Sequence, residues 1–142
     1  MTLLHRAILI CCLGLGIGGN GPAAAQDSTV TPPTMADIEQ AWKAGDYVSV
    51  RTGLKHLAED TGTALAQYRY GRVLVEGRGG PRDLIGAVEW LTKAAAQNHV
   101  EAITLLARIY LSNISQTQDT PSELERDPAK AAVLLARAAA LG

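Results

Sequence analysis

The chain has 142 residues, the size of one ordinary domain, and 47% of them are hydrophobic, enough for a packed core. Aromatic residues make up only 4% and Phe is absent, which argues against a β-sandwich or barrel, while the abundant Ala favours closely packed helices. The formal net charge is −1 with no basic block, so neither nucleic-acid binding nor a cationic membrane-surface helix has an electrostatic basis.

Residues 1–25 read as a secretory signal peptide. His5 and Arg6 precede an apolar run from Ala7 to about Ile17, and Ala23-Ala24-Ala25 forms a small-residue cleavage site before Gln26. The apolar run is short and broken by Gly, which disfavours a transmembrane helix; an uncleaved anchor is the alternative. Cys11 and Cys12 both lie inside this segment, too early and after the wrong residue, Ile10, for a lipid anchor. Cleavage after Ala25 removes both, so the mature domain is expected to fold in the periplasm, or outside the cell, without disulfides. Residues 26–34, QDSTVTPPT, are polar with Pro32-Pro33 and are read as a disordered leader.

From Met35 onward helical periodicity dominates, and it repeats. DYVSVRTGLKHLAED from Asp46, DLIGAVEWLTKAAAQ from Asp83 and DPAKAAVLLARAAAL from Asp127 align without gaps. In the second, Leu84, Ala87, Val88, Leu91, Ala94 and Ala95 fall on one helix face. Each opening Asp is placed to cap its helix, most clearly at Asp127-Pro128. A second kind of helix precedes the later two: TALAQYRYGRVLVEG from Thr63 and VEAITLLARIYLSN from Val100. At a shift of 36 residues, Ala66 matches Ala102, Tyr70 matches Leu106 and Gly71 matches Ala107. The small residue at 71 and 107 predicts a close helix crossing. MADIEQAWKAG, 35–45, places Ile38, Ala41 and Trp42 on one face as a shortened first helix.

The plan is three helix pairs: 35–61, 63–98 and 100–142. In the second pair, GRGGPRD provides the turn. Gly77 leaves the helix in a left-handed conformation, Gly79 and Gly80 reverse the chain, and Pro81 stiffens the exit to Asp83. A Rossmann or phosphate loop would need other residues and a preceding strand. The third pair replaces this turn with a polar insertion at 112–126. Gly71 to Asp83 spans 12 residues, whereas Ala107 to Asp127 spans 20.

The stretch from Ala66 to Ala95 resembles the Sel-one-like repeat family of tetratricopeptide-like α-solenoids. The resemblance rests on Gly71, Leu74, Gly77, Gly79, Pro81, Asp83, Ala87, Trp90, Ala94 and Ala95. The second unit keeps Ala102, Leu106, Tyr110, Asp127, Ala131, Ala138, Ala139 and Gly142, lacks the Gly-rich turn, and has Leu134 in place of Trp. The 35–61 pair is similar to a degenerate opening repeat. The resemblance implies a right-handed stack of antiparallel helix pairs that serves as a protein-binding adaptor, in secreted bacterial members often for envelope signalling or exopolysaccharide machinery. Such a family would continue past Leu141-Gly142, so the chain is read as the front of a longer one, or as a short solenoid with part of its last helix uncovered.

No nucleophile motif is present, and no enzymatic activity, cofactor or metal is expected. His56 and His99 are single histidines without ligand spacing; His99 would favour a helix C-terminus when protonated. Glu76, Asp83 and Glu89 read as one cap and two solvated carboxylates. Trp42 and Trp90 read as anchors at the core edge. Arg69 and Arg72 share a helix face, and Arg78 and Arg82 lie in the following turn. These four, with Trp90 at a groove rim, are the candidate partner-binding residues. The expected function is a periplasmic adaptor for a protein partner, with no nucleic acid and no membrane span after cleavage. A scaffold contacting anionic sugar and a small hydrolase on a repeat fold are the alternatives. Asn113-Ile114-Ser115 is a glycosylation sequon by pattern.

Overall fold

The computed structural model of the chain describes residues 32–112, 124 and 126–142. The expected signal peptide, most of the expected leader, the sequon pattern and most of the 112–126 insertion lie outside the described residues. Within them the secondary structure is six helices with no strand: α1 (Met35–Ala44), α2 (Tyr47–Thr61), α3 (Ala64–Glu76), α4 (Leu84–Ala96), α5 (Val100–Leu111) and α6 (Pro128–Leu141). Each helix packs on the next in sequence, and α3 also touches α5. The result is an all-α solenoid of helix pairs.

Capping explains where the helices begin. The carboxylates of Asp46, Asp83 and Asp127 accept from the backbone N–H groups of Ser49, Gly86 and Lys130 at 3.1, 2.9 and 2.9 Å. The Ser49 hydroxyl and N–H hold the Asp46 carboxyl below its ordinary pKa, and the Lys130 N–H does the same at Asp127. Thr34 and Asp37 form a reciprocal capping box on α1, a T-x-x-D signal passed over in the sequence. At the other ends, Gly45, Gly62 and Gly77 take left-handed φ values of 76, 60 and 67° and stop α1, α2 and α3. Asn98 does the same after α4 with φ 62°. The Arg137 guanidinium donates to its Oδ1 and to the Ala95 carbonyl, both at 2.7 Å. A cation thus satisfies the C-terminal end of α4 from α6.

The core runs through the middle of the stack. Leu74, Leu91, Ile103 and Val50 are its largest fully buried side chains. Each contributes about 2 kcal/mol relative to exposure. The predicted close crossing is present. A Cβ on Gly71 would stand 2.8 Å from Leu91 Cγ and 3.3 Å from the Ala87 carbonyl. Gly71 therefore sets how near α3 can come to α4.

The GRGGPRD turn is more than a reversal. Arg51 Nη1 of α2 donates to the Pro81 carbonyl at 2.7 Å, and a Cβ on Gly79 would collide with the Tyr47 carbonyl. The turn thus locks the second pair onto the first. It closes with the Asp83 N–H donating to the Leu74 carbonyl at 3.1 Å. The third pair closes identically: the Asp127 N–H donates to the Tyr110 carbonyl at 3.0 Å. Leu74 and Tyr110 are repeat-equivalent, so the insertion returns the chain to the same point. It is also less polar in role than its composition suggests, because Leu124 is buried in the core.

Gly79 and Gly62 both have positive φ, but only Gly79 has a neighbour where its Cβ would go. Gly62→Ala is expected to cost about 1 kcal/mol, the left-handed penalty alone. Gly79→Ala is expected to cost about 3 kcal/mol, because the turn must also leave α2. Thermal unfolding followed by circular dichroism checks the ranking; equal melting temperatures would remove the locking role.

Candidate functional site

The odd-numbered helices α1, α3 and α5 border two adjoining grooves. The first, between α1 and α3, is lined by Ile38, Glu39, Trp42, Leu54, Arg69, Arg72 and Val73. The second, between α3 and α5, measures about 550 Å³ and includes Tyr68, Arg72, Val75, Glu76, Thr104, Leu105 and Arg108. Arg72 belongs to both, so the two form one continuous surface.

Of the nominated residues, Arg69 and Arg72 reach this surface. Arg69 Nη1 lies 2.7 Å from Met35 Sδ and 3.7 Å from Glu39 Oε1. Arg72 Nε donates to Glu76 Oε1 at 2.7 Å. The other three line neither groove. Arg78 Nε donates to Glu76 Oε2 at 2.6 Å, and its guanidinium lies 4.8 Å from the Trp42 ring and 5.1 Å from Tyr47. It ties the end of α3 to the α1–α2 pair. Arg82 is exposed in the turn behind Gly77. Trp90 sits on α4, half-buried, edge-to-face with Tyr70 at 5.4 Å and covered by Lys93 Nζ at 3.9 Å. It is an anchor within the second pair and not a groove rim. The four arginines therefore do not converge on one cationic patch.

Two further expectations change. Glu76 is not a solvated bystander, since it holds both Arg72 and Arg78. His99 serves the opposite helix end from the one expected. Its Nδ1 accepts from the Ala102 N–H at 3.4 Å as the N-cap of α5, and its ring stacks on Tyr68 at 4.7 Å.

Residues 64–99 and 100–142 each match the Sel1 repeat, together more than half of the chain. The chain belongs to the Sel1 repeat family. A search of curated proteins finds no match. Sel1 repeats generally mediate protein–protein interaction, and the proteins that carry them are typically helical scaffolds without enzymatic activity. No described helix of this Sel1 protein is long and apolar enough to cross a membrane.

The Sel1 register also shows what the sequence reading missed. Arg108 follows Arg72 by 36 residues, the repeat spacing, and both line the α3–α5 groove. Trp42 was assigned to the core edge alone, yet it also lines the first groove. Searching each repeat for the same polar residue at the same exposed position would have found Arg108. Nothing local distinguishes Trp42.

Burial pushes the Glu76 carboxyl up, but the Arg72 hydrogen bond and the charges of Arg72 and Arg78 outweigh it, leaving the group below its ordinary value. A carboxyl depressed in the folded state adds stability above its unfolded pKa and loses it as pH falls through the folded pKa. Wild-type chain is thus expected to lose stability between about pH 5 and pH 3. Glu76→Gln should be less stable at neutral pH and converge on wild type at the acid end. Urea midpoints across that range test this; parallel curves would dismiss the Glu76 contribution.

Proposed function

We propose that this Sel1 protein is a periplasmic adaptor that holds another protein along the α1–α3–α5 face, in envelope signalling or assembly. The observation that carries the reading is the register of Arg72 and Arg108 on one groove. A repeated cation on a repeated helix offers a partner one charged contact per repeat, flanked by the apolar surface of Val75 and Leu105. Trp42 extends the surface with an aromatic of the kind that anchors interfaces. The compartment rests on the n-region, apolar run and Ala-rich cleavage site of residues 1–25.

Crosslinking the chain in envelope fractions and identifying captured proteins tests the adaptor role. Arg72→Ala combined with Arg108→Ala is expected to weaken capture about tenfold, with a fold loss of about 1 kcal/mol or less, since both side chains are exposed. Capture unchanged in the folded double variant would move the binding face elsewhere. Retention of the unprocessed chain in the cytoplasm would overturn the compartment.

A further inference from the structure

The α3–α5 groove has a described helix on each side, and its two arginines hold the same register position. Their surroundings differ. Arg72 Nε meets Glu76 Oε1, four residues on, at 2.7 Å. The same shift of 36 carries Glu76 to Ser112, so Arg108 has no acid at that place. The Ser112 hydroxyl donates instead to the Ile109 carbonyl at 2.9 Å. Among the described residues Arg108 forms no ion pair, and it is exposed.

Arg72 shows that this position stays open inside the stack. It lines the groove shared with α1 and the groove shared with α5, and its side chain is still 48% exposed. A helix packed beyond α5 would therefore leave Arg108 facing its groove as well.

The rest of the groove does not neutralise Arg108. Glu76 is shared by Arg72 and Arg78, two cations on one carboxylate, so that cluster stays cationic. Glu101 is the second acid among the lining residues, and its Oε2 lies 3.2 Å from His99 Nδ1 at the start of α5. It precedes Arg108 by two helical turns, about 10 Å along the axis. At the end of α5 nearer Arg108, Arg126 adds a further cation, its Nε donating to the Leu111 carbonyl at 3.3 Å. Val75 and Leu105 give the groove half-buried apolar surface. Tyr68 is the aromatic among the lining residues, and the ring face on which His99 stacks is closed to a sugar ring.

We propose that the α3–α5 groove takes an acidic segment of the partner protein, with an Asp or Glu on Arg108 and an apolar neighbour against Val75 and Leu105. Arg108 offers the partner the guanidinium edge that Glu76 occupies on Arg72. The proposal rests on the reading of the α1–α3–α5 face as the binding face.

A random twelve-residue peptide display library selected on the full chain supplies the probes. Enriched peptides are then made synthetically and titrated by fluorescence anisotropy. They should carry Asp or Glu beside Leu, Ile or Val. Arg108→Ala is expected to weaken them about fivefold and Arg72→Ala about twofold or less. Arg108→Lys should recover part of the loss. Ser112→Glu, which supplies Arg108 with the acid that Arg72 has, should weaken them as Arg108→Ala does. Arg108 is exposed, so its variants should keep the wild-type melt. Equal losses at Arg72 and Arg108 would overturn the proposal. Acid-free peptides displaced by Thr104→Tyr, which obstructs the groove, would overturn the acidic partner and keep the face. Peptides indifferent to positions 104 and 108 would overturn the face too. An absence of enriched peptides would also overturn the proposal, and saturable alginate binding lost in Arg108→Ala would then give the groove to an anionic sugar.

Discussion

The approach of α3 to α4 at Gly71 is the constraint on which the rest of the stack depends. With no Cβ in the way, Leu91 can sit against the α3 backbone, and both helices bury their apolar sides in one layer. Ala107, the repeat equivalent of Gly71, is likewise fully buried on α5. A single helix pair exposes too much apolar surface to stand alone, so each pair is stable only with its neighbours against it.

Neighbouring pairs are joined by polar contacts as well as by apolar packing. The GRGGPRD turn meets α2 through Arg51 and Gly79, and Arg78 reaches back over the Trp42 and Tyr47 rings. Gln97 Nε2 donates to Gln67 Oε1 and to the Gly62 carbonyl, stitching the end of α4 to the α2–α3 link. Arg137 does comparable work between α6 and α4. Among the described residues, no buried side-chain nitrogen or oxygen lacks a partner. These bonds orient one pair on the next, and so decide which side chains face the grooves.

That division bears on the arginines. Arg78 shares a carboxylate with Arg72, and lies only six residues further on, yet the two do different things. Arg72 is on the helix and faces the grooves; Arg78 lies past the Gly77 reversal and faces the previous pair. A left-handed residue between them turned one cation outward and the other inward.

Much of the fold was legible in the chain itself. Apolar spacing located the helices, three aspartates marked starts, glycines marked stops, and the 36-residue register predicted the crossing at Gly71. These are local signals, carried by one residue or one helical turn, and a helix obeys them wherever it sits. The Sel1 repeat itself is such a pattern. The surfaces were much less legible. Trp90 and Arg82 were nominated and reach neither groove, Arg108 was overlooked, and Leu135 looks like Leu91 in sequence while standing in water. Whether a side chain is buried, clamped or free depends on which helix arrives beside it from a distant part of the chain. Sequence alone thus determined the repeat and its helices, because propensity, capping and periodicity act over a few residues. Only the tertiary structure decided which arginines face the grooves and which are clamped against a neighbouring pair, because both depend on packing between pairs.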